Sequence, residues 1–94
     1  MSLEELRNEI KDIDLKILNL IKRRLNIAEK IGLYKEQRKS PVRNVKVEEK
    51  VIERAKNHAL SLGIPVELAT AVIKLLIEFS VKIQLQNLSN TLND

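Results

Sequence analysis

Apolar residues recur at Leu3, Leu6, Ile10, Ile13, Ile17, Leu20, Ile27, Ile31 and Tyr34, alternately three and four positions apart, the spacing of a helical heptad seam. One position of that seam is missing, and it holds Arg24. Ser2 followed by Glu5 is a capping-box signature at the head of the run. No Pro and only Gly32 interrupt it, so the pattern predicts one helix over about residues 2–39, a rod roughly 55 Å long at 1.5 Å per residue. A compact globule of this length has a radius of gyration of only about 12 to 13 Å. The rod is too long to be covered by the rest of its own chain, and a tightly interleaved dimer is expected.

Ser40-Pro41-Val42-Arg43-Asn44 reads as a loop in which Pro41 ends the first helix and Asn44 caps the next. A second helix is predicted over 45–62, with Val47, Val51, Ile52, Ala55 and Ala59 on one side. Gly63 suits its left-handed C-terminal position, and Pro65 suits the first turn of a third helix. That helix is expected over 65–88, through Ala69, Val72, Ile73, Leu76, Ile77 and Ile83, followed by a polar tail, 89–94, expected to fray. The fold class is therefore all-α: a single domain, 1–94, of one very long N-terminal helix and two shorter ones, forming an intertwined helical homodimer.

Composition narrows the chemistry. With 94 residues, 44% hydrophobic and 32% charged, the chain is globular yet small enough for its own core to be marginal. Aromatics at 2% leave almost nothing on which to stack bases. There is no Cys and one His, His58, so disulfides and thiolate chemistry are excluded and a His-based metal site or proton relay is disfavoured. Neither metal nor cofactor is expected. The N-terminus is acidic, without an apolar block, and no stretch approaches the ~20 apolar residues a membrane span needs. A cytoplasmic, free-standing subunit with no membrane partner is the expectation. A formal charge of +4 does not choose between nucleic acid, an acidic protein and an anionic metabolite; position must decide.

Position points to a small anion. Arg24 sits on the seam, where a buried guanidinium is costly without a partner; a salt bridge to Asp14 of another chain, or snorkelling to water, are the plain alternatives. Lys35 lies eleven residues on, almost a whole number of turns, so the two share a face about 16 Å apart and their long arms can close on an anion between them. Arg7 is about 25 Å from Arg24 and on another face. If it joins the same site it must come from a second, antiparallel chain. On the third helix Ser80 and Gln84 continue the face of Ile73 and Ile77, an apolar stripe turning polar that more often means a face reaching solvent. Glu48 is explained by its place in the first turn of its helix. Arg38, Lys39 and Lys46 read as a solvated loop, His58 as an ordinary surface or interface side chain, and Tyr34 as packing.

Taken in order, Leu6-Arg7, Ile13-Asp14, Arg24, Ala28, Gly32, Lys35, Pro41-Val42-Arg43, Glu48, Ile77-Glu78, Ser80-Val81 and Gln84 resemble the all-helical class of chorismate mutase, the type II domain, over about residues 3 to 88. The resemblance implies an intertwined homodimer with two active sites, each completed by an arginine from the other chain. It implies the Claisen rearrangement of chorismate to prephenate on the route to phenylalanine and tyrosine, a unimolecular reaction needing no nucleophile, metal or redox cofactor. By resemblance, Arg24 and the partner's Arg7 grip the carboxylates, and Lys35 and Gln84 donate to the ether oxygen. Glu48 and the backbone at Asn44 receive the ring hydroxyl, and Ser80 supports a carboxylate or that hydroxyl. Catalysis would rest on Lys35, Gln84 and Arg24. Two departures stand out: many relatives have aspartate in place of Asn44 and arginine in place of Val47, so one cation is missing, for which Arg43 or Lys46 are the nearby substitutes.

Three other readings compete. An isochorismate pyruvate lyase would use the same fold and pocket. A non-catalytic helical dimerisation module would use Arg24 only to set register, leaving Lys35, Glu48, Ser80 and Gln84 unexplained. A helical DNA binder would place its cations on an exposed groove-facing surface, whereas Arg24 falls on the apolar seam.

Overall fold

A computed structural model describes residues 1–93, with side chains as far as Gln86. Its elements are helices α1 (Leu3–Gln37), α2 (Val45–Leu62) and α3 (Val66–Asn93), an all-helical chain with a long first helix. The Ser2 hydroxyl accepts from the Glu5 N–H at 3.1 Å while the Glu5 carboxylate accepts from the Ser2 N–H at 3.4 Å. This reciprocal cap satisfies two of the backbone donors that every helix N-terminus leaves free. The Asn44 side chain accepts from the Val47 N–H and starts α2 in the same manner.

The helix ends differ from expectation in instructive ways. α1 stops at Gln37, not near Lys39, and the residue that turns the chain is Lys39, at φ 54. Lys39 N–H donates to the Glu36 carbonyl and Ser40 N–H to the Lys35 carbonyl, the paired bonds of a Schellman ending, so the turn is made before Pro41 is reached. α2 ends with the same pair of bonds, from Gly63 and Ile64 to Leu60 and Ala59, but there the left-handed residue is Gly63 at φ 71. Pro65 precedes α3 rather than lying in its first turn, and its carbonyl accepts from Leu68 and Ala69. α3 continues to Asn93, past the point near Leu88 where a polar tail was expected. The side chains of that tail, and Asp94, lie outside the described residues.

A lysine in the left-handed region carries a steric cost that glycine does not. Lys39→Gly is expected to stabilise the protein by about 0.5 to 1 kcal/mol, seen as a higher denaturation midpoint at unchanged slope. The equivalent change at an ordinary helical position of α1 should do the reverse.

α3 is the central element: it packs on both α1 and α2, which do not pack on each other. The chain measures 56 × 28 × 15 Å with a radius of gyration of 16.8 Å, well above the roughly 12 to 13 Å of a compact domain of this length. Its shortest dimension is little more than one helix with its side chains, about 10 to 12 Å. The core is accordingly thin. Ala28, Ala59, Ile77 and Val81 are its buried apolar members, while Leu3, Leu6, Ile10, Ile13, Ile17 and Leu20 are 39–63% exposed. Tyr34, expected to pack, is also exposed and lies beneath the Arg38 guanidinium. α3 leaves Leu68, Val72, Leu75 and Phe79 uncovered. The accessible surface is 7771 Å², where a compact monomer of this mass exposes about 5,500 Å².

Candidate active site

The gap between α1 and α2, floored by α3, is a cavity of about 370 Å³, toward the small end of the range for small-molecule sites. Ile27, Ala28 and Ile31 of α1, Val47 and Val51 of α2, and Ile77 and Val81 of α3 supply its apolar wall. Arg24, Lys35, Asn44, Glu48, Ser80 and Gln84 supply its polar groups. Of the residues to which the resemblance assigns a role at the substrate, Arg7 alone lies outside this lining, exposed on the uncovered N-terminal part of α1.

Arg24 turns into its own chain. Its Nη1 donates to the Leu76 carbonyl at 3.1 Å and to Ser80 Oγ at 2.5 Å, so it is anchored on α3. Burial pulls the guanidinium below its ordinary pKa, and the two acceptors offset that loss of hydration. Ser80 accepts from Arg24 and donates its own proton to the Leu76 carbonyl at 2.8 Å. Its hydroxyl is thus committed to holding Arg24. Ser80 and Gln84 are 9% and 7% exposed, which corrects the reading of their face as one reaching solvent: α3 is covered by α1 at this level.

Lys35 Nζ donates to the Val42 carbonyl at 2.6 Å and to Gln84 Oε1 at 3.3 Å. The first bond folds the 38–44 loop back over the end of α1; the second fixes the amide of Gln84. With its oxygen on Lys35, Gln84 has its NH₂ group left to donate. Gln84 can lie so close because Gly32 faces it. A β-carbon at Gly32 would stand 2.9 Å from Gln84 Cγ and 3.2 Å from its Cα, so any side chain there would push the two helices apart.

Arg43 binds two carboxylates at once, Glu48 of α2 at 2.9 Å and Glu78 of α3 at 2.6 Å. Its own pKa is raised by these partners, and Glu78 is held below the usual carboxylate range by its hydrogen bond and attraction to Arg43. That favourable term exists above the ordinary carboxylate pKa and is lost as pH falls through the depressed one. Both side chains are about half exposed, so it is screened and modest. Neither Arg43 nor Lys46 lines the cavity. The pairing of Arg43 with Glu48 and Glu78, and the Val42 and Leu76 carbonyls as acceptors, escaped sequence reasoning, although Arg43, Glu48 and Glu78 all stand within the resemblance.

A scan of protein families matches the chorismate mutase type II model over residues 6–85. The chain belongs to the chorismate mutase type II family. Every residue that lines the cavity, and Arg7 as well, falls inside the matched span. Comparison with curated proteins gives no match. As a chorismate mutase type II domain the chain offers two cations and an amide donor converging on one cavity. Among the described residues there is no group of three His, Cys, Asp or Glu side chains placed to hold a metal, and no helix long and apolar enough to cross a membrane.

Proposed function

We propose that the protein catalyses the Claisen rearrangement of chorismate to prephenate, as a cytoplasmic, intertwined homodimer serving phenylalanine and tyrosine synthesis. The observation that carries this reading is the Lys35–Gln84 pair beside the Arg24–Ser80 pair in one small cavity walled by apolar side chains of all three helices. The rearrangement breaks an ether C–O bond and forms a C–C bond within one molecule, with no group gained or lost. What it asks of a protein is a compact substrate conformation and compensation of the negative charge that grows on the ether oxygen.

In this reading Lys35 and Gln84 donate to the ether oxygen. Their own hydrogen bond means that both are in place before substrate arrives. Arg24, held by Ser80, takes one carboxylate of the dianion. Glu48 and the backbone at Asn44 take the ring hydroxyl. The second carboxylate requires another cation, and the partner's Arg7 fills that role. Support for the dimer is the uncovered seam of α1, the 15 Å thickness of the chain, and an excess of accessible surface of about 2,200 Å² over a compact monomer, on the scale of obligate interfaces. A dimerisation module alone leaves unexplained why Lys35, Glu48, Ser80 and Gln84 converge with Arg24 on one cavity.

The test is loss of chorismate absorbance with purified, metal-free protein, the product confirmed by acid conversion to phenylpyruvate. Inactive protein would sink the reading, and turnover of isochorismate to pyruvate and salicylate would replace it with the lyase. Because Gln84 is an amide with no proton to lose near neutrality, its donation is the same on both sides of pH 7. Gln84→Glu should behave otherwise. A carboxyl group donates only when protonated, so kcat of that variant should fall about tenfold per pH unit above the carboxyl pKa. A pH-independent Gln84→Glu enzyme would remove Gln84 from the ether oxygen.

A further inference from the structure

Glu48 is the only carboxylate among the described residues lining the cavity, whose other charged side chains are Arg24 and Lys35. An unpaired carboxylate in a site for a dianion would repel the ligand it is meant to hold. Glu48 is not unpaired. Arg43 places Nη2 at 2.9 Å from Glu48 Oε1 and Nε at 3.3 Å from Oε2, while the same Nη2 stands 2.6 Å from Glu78 Oε1. The guanidinium itself is outside the cavity lining and 49% exposed, against 20% for Glu48, so it covers Glu48 from the outer side. Each carboxylate oxygen can accept more than one hydrogen bond, and acceptor capacity toward the cavity is left over. Glu78 follows Ile77 and precedes Ser80 on α3, so the bridge also ties the start of α2 to the helix that carries Ser80 and Gln84.

We propose that Arg43 is a positioning and charge-balancing residue of the ligand site: it orients Glu48 to accept a ligand hydroxyl and cancels the negative charge that Glu48 would otherwise present to the ligand's carboxylates. This rests on reading the cavity as a site for a hydroxylated dianion. A lysine cannot replace it fully, because only the planar fork spans both oxygens of Glu48 while reaching Glu78.

The test is a double-mutant cycle between Arg43→Ala and Glu48→Gln, with KM and kcat for chorismate measured in all four proteins. Arg43→Ala is expected to raise KM about tenfold with kcat within about threefold, the signature of a lost ground-state interaction. In the Glu48→Gln background, where there is no charge to cancel, the same change should move KM by less than about twofold. An equal KM penalty in both backgrounds would overturn the proposal, because Arg43 would then act on loop stability or on the ligand directly. Should Arg43→Ala not fold, Arg43→Lys carries the same test, with a KM rise of about threefold that again vanishes beside Gln at position 48. If wild-type protein leaves chorismate unchanged, it is the functional reading that fails. The cycle is then read from malonate binding, through amide chemical shifts of Ser80 and Gln84, where loss of coupling overturns the role of Arg43 independently.

Discussion

Lys35→Ala is expected to lower kcat for chorismate by about 10²- to 10³-fold, the usual loss when one preorganised donor to a developing oxyanion is removed. The size of the effect follows from what Lys35 does in the structure. Its ammonium donates to the Val42 carbonyl and to Gln84 Oε1, so it is anchored at the site without any acidic partner among the described residues that would cancel its charge. Charge that appears on the ether oxygen only as the bond breaks is compensated by such a group more in the transition state than in the ground state, and kcat carries the loss. Removing Lys35 also releases the 38–44 loop from α1, which should raise KM modestly. The two contributions separate in steady-state kinetics. A deficit confined to KM, with kcat intact, would reduce Lys35 to a loop anchor.

Mixing two inactive variants should restore activity. Arg7→Ala and Arg24→Ala are each expected to lose at least about a hundredfold in kcat/KM, since each removes a charge-assisted contact to a carboxylate. Co-refolded in equal amounts, half of the dimers would be mixed. In each of these, one site has lost both arginines and the other keeps an intact Arg24 on one chain and an intact Arg7 on the other. Activity should therefore return to about one quarter of wild type, the statistical value for random pairing in a two-fold dimer. Arg7 lies about 25 Å along α1 from Arg24, on a part of the helix that no other element covers. Recovery near zero would place Arg7 in the same subunit's chemistry or in none.

The helices were written plainly in the sequence because their signals are local. The Ser2–Glu5 cap, the Asn44 cap and the left-handed Gly63 each depend on a few neighbouring residues, and they stand where the spacing put them. The end of α1 was misjudged by two residues because a lysine makes a turn that chemistry assigns to glycine or asparagine, and no local rule announces that. The convergence of Arg24 with Lys35 could be drawn from helical phase alone. Their partners could not. That Arg24 would find Ser80 and the Leu76 carbonyl depends on where α3 crosses α1, and that crossing is set by Gly32 against Gln84. The bridge from Arg43 to Glu48 and Glu78 links a loop and two helices, and nothing in the spacing of those three residues foretells it. Burial of Ser80 and Gln84 was missed for a related reason: periodicity reports which face a residue is on, not what will cover it.

The 15 Å thickness of the chain has a consequence for how the sequence can drift. With the dimer as proposed, the ordinary map of tolerance is inverted. Ile10, Ile13, Ile17 and Leu20 on α1, and Leu68, Val72 and Leu75 on α3, are exposed in the single chain and would pass for positions free to change. They are instead the interior of the assembly, and a polar replacement among them costs association first and the fold with it, the more so at low concentration. Acquiring the second copy and acquiring a hydrophobic core are, for a chain this thin, a single evolutionary step.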